Sequence, residues 1–166
     1  GPDGATHQAV EDIAIMRPIA NMSVFAPCDM HEAKKVTYAV SKFMGPVYMR
    51  FAREKTPVFT TEATPFEIGK AQIFWSEPGW DPSTGSGQAK PDVAVIACGP
   101  LTHNAILAAA ELEKQGMKVR VINNASIKPM DEETIIQAAR DAGAVVTVEE
   151  HQVAGGLGSA IAECLS

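Results

Sequence analysis

The chain has 166 residues, 46% of them hydrophobic and 20% charged, which leaves room for one full domain or two small ones and excludes a disordered chain. Fourteen basic against twenty acidic side chains give a net charge of -6, which argues against a nucleic-acid partner. The longest apolar run, 105–110, is far below the roughly 20 residues of a membrane span, so no membrane partner is expected.

No charged leader followed by an apolar core is visible at the start, and the three cysteines are odd in number and far apart. Reduced, mostly buried thiols in a cytoplasmic protein are the expectation. The first residues, Gly1-Pro2-Asp3-Gly4, have turn chemistry, and the chain reads as starting inside a larger unit.

In chain order, Thr6 can cap a helix that carries Val10, Ile13, Ala14 and Met16 at helical spacing and ends at Pro18. An extended apolar stretch at 22–26 follows. Asp29 with Glu32 has the form of a capping box that opens a helix reaching Met44, and Gly45-Pro46 closes it before a strand at 47–52. Between 56 and 92 proline, glycine and serine concentrate, and the stretch reads as a connector with one extended segment, 71–75, and a loop.

Three strand–helix pairs then follow: a strand at 93–97 and a helix ended by Gly116; a strand at 118–123 and a helix from Asp131 to Gly143; a strand at 144–148 and a helix at 157–165. The fold expectation is α/β. Half of a parallel-sheet domain spans 1–55, a linker 56–92, and a small three-layer α/β domain 93–166.

Three stretches can carry chemistry. Asp3-Gly4-Ala5-Thr6-His7-Gln8 puts a carboxylate on a glycine-flanked loop and, if Thr6 caps the helix, His7 in its first turn, placed to donate or accept a proton. Arg53 follows the 47–52 strand at a carboxyl end of the sheet, where a guanidinium can take a phosphate through two parallel hydrogen bonds. Arg50 is a rival that strand alternation puts on the opposite face.

The third stretch, from Glu149-Glu150-His151 through Gly155, Gly156 and Gly158, could bring backbone N–H groups to a phosphate. Each has a plain structural alternative: helix-start decoration, a surface ion pair of Arg53 with Glu54, and a tight packing turn. Cys28 and His31 have no further ligand-spaced partners, so no metal site is expected.

Together the motifs resemble those of transketolases. Asp3-Gly4-Ala5-Thr6-His7-Gln8 with Glu11-Asp12-Ile13-Ala14 and Arg17 is similar to the family's D-G-P-T-H-Q segment, with Ala5 where many relatives have Pro. Phe25-Ala26-Pro27-Cys28-Asp29, Tyr48-Met49-Arg50-Phe51-Ala52-Arg53 and Phe66-Glu67-Ile68-Gly69-Lys70-Ala71 follow in the family's order, and 148–163 resembles its carboxyl-terminal motif. The likeness is to the carboxyl-terminal subunit of the two-gene, or split, type. It breaks mainly at 75–91, where the loop is longer.

The resemblance implies thiamine diphosphate and a divalent cation (Mg2+ or Ca2+), and transfer of a two-carbon ketol unit from a ketose phosphate to an aldose phosphate, as in the pentose phosphate pathway. It implies that His7 is catalytic and contacts the donor's hydroxyl and carbonyl oxygens. Asp3 would read the neighbouring hydroxyl, and Arg53 would hold the substrate phosphate.

It further implies that the cofactor-binding and metal-binding residues lie outside this stretch of chain. The expected partners are an N-terminal transketolase subunit or domain, a homodimer partner and sugar phosphates, and the fragment is expected to be inactive alone. The alternatives are part of a deoxyxylulose-phosphate synthase, whose relatives usually carry Tyr-Pro-Arg-Gly where Phe51-Ala52-Arg53 stands here, and a non-catalytic assembly domain.

Overall fold

The structure, a computed structural model, describes residues 4, 7–81, 86, 87 and 90–166. Asp3, the proposed Thr6 cap and part of the 83–87 loop therefore lie outside the described residues.

Strand β1 (Ser23–Phe25) is buried at every position and is the centre of a three-stranded sheet. It pairs in parallel with β2 (Val47–Met49), Ser23 opposite Val47 and Phe25 opposite Met49. Two helices belong to this half. α1 (Asp12–Met16) precedes β1, and α2 (Met30–Val40) joins β1 to β2.

The connector contributes β3 (Gln72–Trp75) and a small antiparallel hairpin, β4 (Trp80–Asp81) with β5 (Ser86–Gly87). Beyond it, β6 (Val93–Ala97), α3 (Leu101–Lys114), β7 (Val119–Asn123), α4 (Glu132–Asp141), β9 (Ala144–Val148) and α5 (Leu157–Leu165) alternate as the sequence suggests. A short β8 (Ser126–Lys128) interrupts the alternation after β7.

The second sheet has the order β3-β7-β6-β9. β6 is parallel to both β7 and β9, while β3 adds antiparallel at one edge. β8 leaves the second half to pair antiparallel with β1, so both larger sheets are mixed rather than purely parallel. The α/β expectation holds with that amendment.

One core cluster draws on both halves: Ile13 and Val24 pack with Ile96, Ile122, Ile135 and Leu157. Burial of this apolar surface, at about 25 cal/mol per Å², helps to hold the halves together, beside the pairing of β8 with β1. None of the described helices is long and apolar enough to cross a membrane.

Element boundaries differ most from expectation at α1, α2 and β2. α1 begins at Asp12, well after the proposed Thr6 cap, and Val10 is 47% exposed instead of facing the core. His7 therefore lies not in a helical first turn but in a turn of its own, its N–H and that of Gln8 donating to the Gly4 carbonyl at 2.9 and 3.1 Å. α2 stops at Val40 because nothing beyond it has a core face to bury; Met44 is 94% exposed. β2 stops at Met49, although the Arg50 N–H still donates to the Phe25 carbonyl at 2.8 Å.

Asp29 caps α2, accepting from the Glu32 N–H at 3.1 Å. The return half of the capping box is displaced by one residue. Glu32 takes the N–H of Cys28 at 2.6 Å and the side-chain amide of Asn123 at 2.7 Å, tying α2 to the end of β7. Burial pushes the Glu32 carboxyl above its ordinary range, against the hydrogen bonds it receives from Cys28 and Asn123. Cys28 and Cys98 are buried free thiols, and burial also pushes both of them up.

Candidate active site

The second sheet reverses its winding at β6: the chain leaves β6 for β7 on one side and returns to β9 on the other. Loops at the carboxyl ends of such strands are where open α/β folds bind ligands. Here the loop after β9, residues 149–152, reaches across to the segment that leads into α1. The Gln152 N–H donates to the Val10 carbonyl at 2.8 Å, and the Ala14 N–H donates to His151 Nε2 at 3.4 Å. Where this loop, the 7–12 segment and the end of β2 meet there is a cavity of about 320 Å³.

His7 and Arg53 both line this cavity, as do Asp12, Tyr48, Arg50 and Glu150. Arg50 and Arg53 thus share one site. Alternation separates two side chains only while the strand lasts, and β2 has ended at Met49. His7 and Arg53 themselves are exposed, so the cavity is open to solvent-borne ligands.

The floor of the cavity is an ion-pair network that the sequence did not reveal. Arg50 Nε lies 3.2 Å from both Asp12 oxygens, Nη1 donates to Glu150 Oε2 at 3.1 Å, and Nη2 donates to the Ala9 carbonyl at 3.1 Å. The Tyr48 hydroxyl donates to Asp12 Oδ2 at 2.8 Å; its own acidity is suppressed, its pKa pushed up to about 12 by burial and by the Asp12 carboxylate beside it. The Arg50 and Asp12 side chains are only 13% and 10% exposed, so the pair is shielded from solvent. No sequence signal singles Asp12 out: it opens a helix, where an acidic side chain is ordinary.

The glycine-rich turn is not a phosphate cradle. The Glu149 carboxylate occupies the start of α5, accepting from the Leu157 N–H at 2.7 Å and the Gly158 N–H at 2.8 Å. A Cβ on Gly156 would stand 2.3 Å from Glu149 Oε2, and one on Gly155, at φ +83°, would stand 2.4 Å from Ala14 Cβ. The glycines admit an internal carboxylate and the close approach of α1. Among the described residues no group of three or more His, Cys, Asp or Glu side chains could hold a metal ion.

Two family models match this chain, "Transketolase, pyrimidine binding domain" over residues 1–58 and "Transketolase, C-terminal domain" over residues 86–166. The two matches and the fold thus define an α/β chain that joins pyrimidine-binding sequence to a carboxyl-terminal domain. The chain belongs to the transketolase family and corresponds to the C-terminal section of the split-gene type.

It is 40% identical to a putative transketolase C-terminal section of Methanocaldococcus jannaschii, over 100% of this chain and 48% of the relative. It is 39% identical to the 6-deoxy-6-sulfo-D-fructose transketolase subunit SqwH of a Clostridium species, over 98% and 47%. A 1-deoxy-D-xylulose-5-phosphate synthase of Desulfitobacterium hafniense matches at 35%, over 99% of this chain and 24% of the relative.

Among solved structures, a split gene transketolase described as an inactive beta4 tetramer superposes with a TM-score of 0.85 at 40% identity, covering 98% of this chain and 50% of the other. The chain spans about half the length of the first two of these curated relatives.

Proposed function

We propose that this chain supplies the substrate-contacting wall of a two-subunit transketolase that moves a two-carbon ketol unit from a ketose phosphate to an aldose phosphate. The observation that carries this reading is the single cavity lined by both His7 and Arg53. A ring nitrogen of His7 would hydrogen-bond the donor's hydroxyl and carbonyl oxygens, stabilising negative charge as it develops and holding or returning a proton there. Arg53 would take the phosphate as a charge-assisted fork. Asp3, from the family motif, would accept from the adjacent sugar hydroxyl.

Thiamine diphosphate is the family's cofactor and supplies the electron sink for this chemistry. The residues of this cavity do not suit a diphosphate–cation pair, because its buried carboxylate, Asp12, and its neighbour Glu150 are already engaged by Arg50. The cofactor and its cation are therefore assigned to an N-terminal transketolase subunit, with a second copy of this chain completing the assembly. Relatives described as a "C-terminal section" and as a "subunit", and a solved structure described as an inactive assembly, support a chain that does not turn over alone.

The test is ketol transfer by the full-length subunit assembled with its N-terminal partner. Arg53→Ala should raise KM for phosphorylated substrates over unphosphorylated ones by about 10- to 150-fold, equivalent to roughly 1.5–3 kcal/mol for one charge-assisted contact. His7→Ala should depress kcat more than it raises KM. Equal losses of Arg53→Ala on both substrate types, or a His7→Ala effect on KM alone, would overturn the assignment. Formation of deoxyxylulose phosphate by the same assembly would favour the synthase reading instead.

A further inference from the structure

Arg50 lines the cavity yet uses all three of its guanidinium nitrogens on acceptors of the protein. Those acceptors belong to two separate stretches of chain: Asp12 at the start of α1 with the Ala9 carbonyl three residues before it, in the segment that follows His7, and Glu150 in the loop after β9. In the stretch that follows Gly4, the His7 and Gln8 N–H groups share the Gly4 carbonyl, and the Val10 N–H is taken by the neighbouring Glu11 side chain at 2.9 Å. Arg50 meets this stretch at the Ala9 carbonyl, and the Gln152 N–H meets it one residue further on, at the Val10 carbonyl.

We infer that Arg50 is a positioning residue: it is the joint through which Glu150 and the loop after β9 hold the His7 segment at the cavity. This rests on the transketolase reading above. It distinguishes the two arginines of the site, Arg53 for substrate and Arg50 for the wall that substrate meets. An arriving phosphate would have to displace Asp12 and Glu150 from Arg50 together, one of them largely buried, which makes Arg50 a poor phosphate ligand. A lysine could not replace it, since one ammonium on a flexible stem cannot meet three acceptors that lie in three directions.

The experiment pairs hydrogen exchange with steady-state kinetics on the full-length subunit assembled with its N-terminal partner, comparing wild type with Arg50→Gln, Arg50→Lys and Glu150→Gln. Arg50→Gln should speed amide exchange at His7, Gln8 and Gln152 by about tenfold or more while α3 and α4 exchange as in wild type. It should lower kcat by about 10- to 100-fold, the penalty of a slightly misplaced catalytic group, with KM for phosphorylated substrates within about threefold. Arg50→Lys should restore neither readout, and Glu150→Gln should fall between.

A selective rise in KM for phosphorylated substrates with unchanged exchange would make Arg50 a substrate ligand and overturn the inference. So would an exchange increase spread over the whole chain, which marks a general loss of stability. If the wild-type assembly transfers no ketol unit, the functional reading fails while the exchange comparison still decides whether Arg50 holds the His7 segment.

Discussion

Replacing Asp29 by alanine should cost this fold about 3–5 kcal/mol. The carboxylate is 4% exposed and accepts four hydrogen bonds: the Glu32 N–H at 3.1 Å, the Phe59 N–H at 2.9 Å, the Thr60 N–H at 2.7 Å and the Thr60 hydroxyl at 2.6 Å. The hydroxyl can turn to another acceptor, but the three backbone donors cannot. Each hydrogen bond to a charged acceptor is worth about 1.5–3 kcal/mol, and contacts that share one carboxylate do not add in full. At about 2–4 °C per kcal/mol for a chain of this size, Tm should fall by about 6–20 °C.

Asp29→Asn should cost less, about 1–3 kcal/mol. An amide oxygen can keep Phe59 and Thr60, while the NH2 group then faces the Glu32 N–H. The pH dependence gives an independent check. Burial pushes the Asp29 carboxyl up, but the hydrogen bonds from Thr60, Glu32 and Phe59 outweigh it and hold the group below its ordinary 3.8. The unfolded chain therefore binds the proton first as pH falls. The contribution is fully present above 3.8 and is lost as pH drops through the lower folded value. Urea titrations at a series of pH values measure both effects. A cost of Asp29→Ala under about 1 kcal/mol would refute the reasoning, as would wild-type and Asp29→Asn stability curves that stay parallel below pH 3.8.

Two further outcomes follow from groups outside the cavity. Glu149→Ala should cost about 1.5–3 kcal/mol by freeing two donors at the start of α5, and Gly156→Ala, whose Cβ would evict that carboxylate, should add little on top of it; additive losses in a denaturation cycle would count against the internal seat. Arg120→Met should cost about 3–5 kcal/mol because it strands Glu77, which is 1% exposed, whereas Arg120→Met with Glu77→Leu should recover most of the loss; equal costs for single and double variants would show that the pair is not coupled.

Much of the second half was legible because each element carries its own local signal. β6, β9 and α5 fall on the residues that hydrophobic run, strand length and bracketing glycines indicate. β8 has no such signal. It is three residues long, and its reason for being extended is β1, far away in sequence, so no local pattern could announce it. The β4–β5 hairpin has two-residue strands, too short for alternation to register. The segment leading into β4 is anchored by Glu77 on Arg120, which also reaches Asp141 at 2.9 Å and lies 5.5 Å from the Trp80 ring.

The site was half legible for a related reason. His7 and Arg53 stand out as residue types at informative places. Strand alternation carried past Met49 puts Arg50 and Arg53 on opposite faces, but the strand stops there and both reach the cavity. Asp12 and Glu150 acquire meaning only through Arg50, and the three are brought together by tertiary contact alone.

Successive carboxylates after β9 serve two different contacts. Glu149 locks the first turn of α5, and Glu150 reaches Arg50 at the cavity. α1, which meets Gly155 at Ala14 and Arg50 at Asp12, has five residues, too few to persist alone in water. Its early N–H at Ala14, an orphan of the first turn, is met by His151 Nε2, an acceptor because the ring's other nitrogen faces the Gln152 carbonyl at 2.8 Å and donates to it. At the other end, Arg17 forks onto Glu163 of α5 with two contacts of 2.7 Å and donates to the Gly155 carbonyl, and Lys128 binds the Arg17 carbonyl. The helix that follows His7 is thus held at both ends by the second half of the chain. On the function proposed above, substitutions in the carboxyl-terminal half should change turnover through the geometry of the cavity, without a contact to substrate.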